Sequence, residues 1–182
     1  AEAYLKGKKA TPNEFRVIPS WEAMLPVLNG KIPLVIHADE IRQINAAVEW
    51  AEKRKYRMIL SGGQDAWKLA DWLGERKIPV IYHHIFTAPR YRNSPHDEQF
   101  RAPGILAKAG VPLSIGFRLG GWTAANQRNL PHHAAHAVAH GLSREKALAS
   151  ITLEPAKLAG LSKLLGTLEV GKEATFIAAT GD

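Results

Sequence analysis

The stretch "IPLVIHADEIRQINAAVEW", residues 32–50, decides how the rest of the chain is read. Its first part, "IPLVIH", is a short and nearly continuous apolar run, the pattern of a strand covered on both faces, as in a parallel sheet. After Glu40 the period changes from two to 3.6: Ile41, Ile44, Ala47, Val48 and Ala51 fall on one helical stripe. Between the two elements sit His37, Asp39 and Glu40, three groups suited to protons, metals or water, placed where a buried strand ends.

The same unit recurs. "YRMILSGG" (56–63), "IPVIYHH" (78–84) and "VPLSIGF" (111–117) are further apolar runs bounded by turn residues. "QDAWKLADWLGERK" carries a helical stripe of Trp67, Leu69, Ala70 and Leu73, and "EQFRAPGILAKAG" reads as a helix starting at Pro103 and stopping at Gly110. The order β-α-β-α-β-α-β is that of right-handed βαβ units and a parallel α/β sheet.

Helices then follow in "NLPHHAAHAVAHGL", "SREKALASI" and "LEPAKLAGL". Ser143 is the N-cap of the second, without the acidic partner of a capping box, because Lys146 stands three residues on. Pro155 suits the first turn of the third helix and Gly160 its end. The tail "GTLEVGKEATFIAATGD" alternates, and is expected to form a β-hairpin or strand pair.

Composition sets limits. With 182 residues, 46% hydrophobic and 23% charged, the chain supports one substantial core or one domain with an appendage. It has no run of about 18 or more apolar residues, so no membrane span is expected, and "AEAYLKGKKA" lacks a signal-peptide core. Without cysteine, any metal site is built from histidine, carboxylate and water. The net charge of +7 is scattered over "KGKK", "EKRKYR" and "APRYRN" with no reader motif, so nucleic acid is not the expected partner.

In parallel βα architectures chemistry collects at the C-terminal ends of the strands. His37, Ser61, His83, His84 and the "FRLGGW" loop all fall there. Alternation along a strand lets only one of His83 and His84 face the open side. "HHAAHAVAH" spaces His132, His136 and His140 four apart, a solvated or interface face rather than a zincin site, since the companion glutamate is missing. The pairs Gly62–Gly63 and Gly120–Gly121 match no phosphate-loop motif and read as turns. Asp39 and Glu40 equally suit the cap and first turn of the next helix.

The segment 128–182, with "GL", "ALASIT", "PAKLAGL", "GTLEVGKEATF" and a closing "GD", resembles the C-terminal part of the amidohydrolase superfamily, in particular imidazolonepropionase-like members. The resemblance implies the second half of a TIM-type (β/α)8 barrel, strands five to eight, over residues 1–165. Residues 166–182 would then be C-terminal strands of a small β-sandwich domain. It implies zinc or another divalent metal and hydrolysis of a non-peptide C–N bond in an amide or cyclic amide by metal-activated water, with an aspartate on strand eight shuttling the proton. It also implies a soluble protein of a bacterial cytoplasm or periplasm acting on a small molecule.

Residue by residue, His37 matches the strand-five metal ligand. The strand-six histidine falls at Ser61, Gly62 or Gly63, and the strand-eight aspartate at Gly116, Phe117 or Arg118. The ligands of strands one and four would precede residue 1. A catalytic zinc takes three protein ligands, so His37 needs partners from elsewhere, or the metal is absent. Asp39, Glu40 or Asp97 would substitute as proton shuttle. Arg118, His84 and Asn129 are the substrate-rim candidates, Arg118 through an anionic group.

Four parallel strands do not close a barrel. The expected assembly is therefore a fragment of a longer chain, a half completed by the missing N-terminal half, or a homo-oligomer of halves. Two rival functions follow from other features: a catalytically inactive homologue serving as a binding or scaffold protein, and a polyanion binder whose affinity falls steeply with salt.

Overall fold

The computed structural model describes residues 2–10, 16–118, 120–178 and 180. Among them the order of elements is α1 (Glu2–Ala10), α2 (Pro19–Glu22), α3 (Leu25–Leu28), β1 (Leu34–Ala38), α4 (Ile41–Lys53), β2 (Met58–Gly62), a 3-10 turn (Ala66–Leu69), α5 (Ala70–Glu75), β3 (Val80–Tyr82), α6 (Glu98–Lys108) and β4 (Leu113–Ile115). After β4 come α7 (Gly121–Ala125), a second 3-10 turn (Gln127–Asn129), α8 (Leu130–Ala139), α9 (Arg144–Ile151) and α10 (Leu153–Leu158).

The strands form one parallel sheet in the order β1-β2-β3-β4, as the recurring βα pattern implies. Register places Ile36, Leu60, Val80 and Leu113 in one row across the sheet. That row packs with Ile44 and Val48 of α4, Leu73 of α5, Leu106 of α6 and Ala134 and Ala137 of α8 in the main core. The neighbouring row, His37, Ser61, Ile81 and Ser114, lies on the opposite face. This second face is open at β1, where Val35 is 60% exposed, and covered at β4, where the Ser114 hydroxyl donates to the Ser150 carbonyl of α9.

Several local expectations change. The helix read over 64–77 begins as a 3-10 turn before α5, and buries Ala66, Ala70 and Leu73. Pro103 does not start α6 but lies inside it. Proline removes the hydrogen bond to the Gln99 carbonyl four residues back; the Tyr82 hydroxyl donates chiefly to the Gln99 side-chain Oε1 and lies 3.4 Å from that carbonyl. Ser143 caps α9 as expected, its Oγ accepting from the Lys146 amide.

The strand pair expected over 166–182 is absent from the described part of that tail. Leu168, Val170, Phe176 and Ile177 are exposed there, and an isolated pair of strands with no third strand or helix to bury its apolar face is marginal in water. Ala179, Gly181 and Asp182 fall in or beside that call; Ala179, residue 181 and residue 182 lie outside the described residues.

The histidine stripe of α8 is also displaced. The residues that pack are His133, His136 and His140, spaced i, i+3, i+7, while His132 is exposed. A spacing of four drifts 40° per step round a 3.6-residue helix, so 132, 136 and 140 do not hold one line. His136 and His140 lie against Phe100 of α6, and His133 lies between Phe86 and Phe117. Burial, then the nearby His136 and His132, push His133 below its ordinary pKa. A histidine depressed in the folded state binds protons better when unfolded, so stability is full above about pH 6.5 and falls as pH drops toward the depressed value. Thermal melts between pH 7.5 and pH 5 should therefore show a falling Tm, and His133→Phe should flatten the fall; an unchanged slope would show that His133 is not linked to folding.

Candidate active site

The site forms where β1 hands over to α4. Gln43 in the first turn of α4 accepts from the backbone amides of both Asp39 and Glu40, and Glu40 completes a capping box with it. Glu40 also meets Arg90, which reaches on to Asp65, so its carboxylate is committed to the cap and to an ion pair. The capping alternative thus describes Glu40, while Asp39 is released for another task.

Asp39 joins two strands. Its Oδ1 lies 2.7 Å from His84 Nε2, and its Oδ2 lies 3.3 Å from His37 Nε2. The Gln64 amide donates to Oδ1 at 3.4 Å, and the Asp39 carbonyl accepts from the Asp65 amide, so the β2 turn grips the same residue. Burial pushes the Asp39 carboxyl up, yet His84, His37 and the Gln64 amide hold it below the usual carboxylate value. His84 is lowered chiefly by burial, against the pull of Asp39. At neutral pH the pair is therefore an ionised Asp39 accepting from the Nε2–H of a neutral His84, whose Nδ1 accepts from the Thr87 hydroxyl at 3.1 Å.

His84 was an expected rim contact, and the structure puts it elsewhere. It is 3% exposed, packed edge-on against Tyr82, with both ring nitrogens committed. His83 takes the open side instead, its ring stacked 6.4 Å from that of His37. Parity separates the two histidines, and the burial of Tyr82 in the core sets His83 on the face of Ile81 and His37. Burial, and after it His84 and His37, push His83 down to about 4.

Ser61 is the residue registered with His37, so of Ser61, Gly62 and Gly63 it is Ser61 that shares the face of His37. Continuing the alternation of β4 past Ser114, Gly116 falls on the same face; a Cβ there would stand 3.0 Å from Ile81 Cγ2 and 3.7 Å from His83 Nε2. Arg118 follows, exposed, its cation close enough to help depress both His83 and His84. Asn129 is half-buried in the second 3-10 turn. Asp97 precedes α6 and pairs with Arg101 at 4.0 Å; no described contact joins it to Asp39.

Gly62 carries the site's closest approach. Its φ is +98°, and a Cβ there would stand 2.4 Å from Asp39 Oδ1 and 2.8 Å from His37 Cε1. Gly62→Ala should therefore displace Asp39 from His84 and strain the backbone by about 1–3 kcal/mol. The check is the His84 Nε2–H resonance: its loss with a lower Tm is expected, and an unchanged resonance would mean that the turn absorbs the methyl.

No group of three His, Asp or Glu side chains among the described residues is arranged to hold a cation. The donor set falls short of the three ligands of a catalytic zinc, so a metal here takes ligands from outside this segment. His83 Nδ1 is buried with no hydrogen-bond partner among the described residues, a feature it shares with His133 Nδ1 and His136 Nδ1 of α8.

Residues 30–181 match the model of the amidohydrolase family. The crystal structure of an amidohydrolase from Thermotoga maritima MSB8 is similar over 95% of this chain, at 27% identity and a TM-score of 0.79. The crystal structure of a prolidase complexed with N-methylphosphonate-L-proline is similar over 81% of this chain, at 21% identity and a TM-score of 0.60, which concerns the fold alone. The chain spans 45% of the length of the first and 38% of the second. No curated protein matches it.

Proposed function

Since the chain belongs to the amidohydrolase family, we propose that it forms half of the catalytic rim of a hydrolase acting on an amide or cyclic-amide C–N bond by activated water, the other ligands coming from outside this segment. The observation that carries the reading is Asp39, an ionised carboxylate at the end of β1, held by His84 at 2.7 Å beside the open face. Imidazolonepropionase-like chemistry and zinc are the finer form of the same proposal.

In this reading a divalent cation, when bound, lowers the pKa of water and polarises the scissile carbonyl. The chain's own residues do the rest. Asp39 Oδ2 takes the proton of the attacking water as its oxygen bonds to the carbonyl carbon, and the proton passes to the nitrogen as the C–N bond breaks. His84 touches no substrate; it is a positioning residue that fixes the direction of Asp39 through Oδ1. Arg118, exposed past the end of β4, offers a cation to an anionic substrate group.

The partner in this reading is a four-stranded half that closes the barrel, either the rest of a longer chain or a second copy, because the edges of β1 and β4 and the open face beside Val35 need covering. The test is a panel of lactams, hydantoins and N-acyl amino acids presented to the full-length protein with and without added zinc. Saturable hydrolysis that a chelator abolishes supports the reading, and no turnover of any member would sink it.

One observation favours a second reading, an inactive homologue acting by binding: Ser61 and Gly116 occupy the two positions where this half would carry a ligand and the shuttle. That protein would bind small molecules from the panel without turnover.

Among the described residues no helix is long and apolar enough to cross a membrane.

A further inference from the structure

We infer that Arg90, in the segment between β3 and α6, is a positioning residue of the hydrolytic step: through Glu40 and Asp65 it sets the direction of the Asp39 carboxylate, which it does not touch. The inference rests on the hydrolase reading above and adds to it a residue that the sequence marked only as scattered charge.

The segment that follows β3 clamps Asp39 from two sides. At its start, His84 meets Asp39 Oδ1 at 2.7 Å and is itself held by Thr87. Further on, the Ala88 carbonyl accepts from the Gln64 side chain at 3.4 Å, and Arg90 Nη1 lies 3.2 Å from Glu40 Oε1 and 3.5 Å from Asp65 Oδ2. Each of these partners is one short link from Asp39. Glu40 is its neighbour in the chain, the Gln64 amide donates to its Oδ1, and the Asp65 amide donates to its carbonyl at 2.9 Å. A guanidinium that spans two carboxylates fixes both, where a lysine would fix one.

Stability alone does not account for the arrangement. Asp65 is 3% exposed, a carboxylate that needs a partner, but Lys68 already supplies one at 2.8 Å. Glu40 caps α4 through its own hydrogen bonds and is exposed, where an ion pair adds little. What Arg90 adds is a connection between the β1–α4 turn and the turn after β2, the two pieces of backbone that carry Asp39 and its hydrogen-bond donors. A carboxylate that must meet the proton of an attacking water loses rate steeply when misplaced, about 10²-fold for about 1 Å.

The experiment compares wild type, Arg90→Gln and Arg90→Lys in the full-length protein, on the panel member that wild type hydrolyses fastest, with the His84 Nε2–H resonance as a second readout. Arg90→Gln should lower kcat by about 10–100-fold at an unchanged KM, Arg90→Lys should recover part of the loss, and the resonance should shift. In an Asp39→Asn background the same change should cost less than about twofold, because a residue acting through Asp39 has nothing left to position. If Arg90→Gln leaves kcat at the wild-type value, raises KM alone, or costs as much without the Asp39 carboxylate as with it, the inference fails and the hydrolase reading stands. If wild type hydrolyses no member of the panel, both fail. Should Arg90→Gln not fold, Glu40→Gln, which keeps an acceptor for the cap and loses the charge, takes its place with the same outcomes.

Discussion

Asp39→Asn should lower turnover by about 10²–10⁴-fold, with little change in KM, in the full-length protein assayed on whichever amide substrate it hydrolyses. The amide side chain has nearly the shape of the carboxylate and can still accept from His84 Nε2–H, so the fold around β1 persists. What disappears is the negative charge and the ability to take a proton at Oδ2. The companion variant His84→Gln removes the ring that directs Asp39 and leaves the carboxylate in place; it should lose less rate and shift the acid limb of the pH profile. Asp39→Asn with wild-type turnover would remove Asp39 from the chemistry and leave it as a strap between β1 and the β3 end.

The largest effect on stability is expected at Leu60. It is fully buried in the central strand β2, registered with Ile36 on one side and Val80 on the other. Leu60→Ala removes three side-chain carbons and opens a void between the sheet and its covering helices, where a hydrogen-bonded backbone row on both sides prevents collapse. The loss should be about 2–5 kcal/mol in denaturant unfolding at constant m-value. A loss below about 1 kcal/mol would mean that the sheet and helices close over the gap. Val35→Ala, on the open face at 60% exposure, is the contrasting substitution and should have little effect in this segment alone.

The shift in period at Glu40 was enough to mark both β1 and α4, because each element buries one side and the spacing of apolar residues records which. The same logic found the four strands and placed His37 at a strand end. It failed at Pro103, where the helix runs on with the Tyr82 hydroxyl anchoring Gln99 one turn back, and in the tail, where alternation without a partner does not make a strand. Parity separates His83 from His84, yet choosing which of the two faces the open side requires knowing that Tyr82 belongs to the core, and a tyrosine before two histidines does not announce that.

By itself, then, the sequence determined the βα order, the rim on which polar groups collect and the amidohydrolase kinship, since these follow from local periodicity and from a run of motifs along one segment. Only the tertiary structure decided the site. Asp39 and His84 are 45 positions apart, and the bond between them exists because β1 and β3 flank β2 in parallel and Gly62 has no side chain to hold them apart. Contacts of that range depend on register and on the absence of a single Cβ, neither of which leaves a periodic trace in the chain.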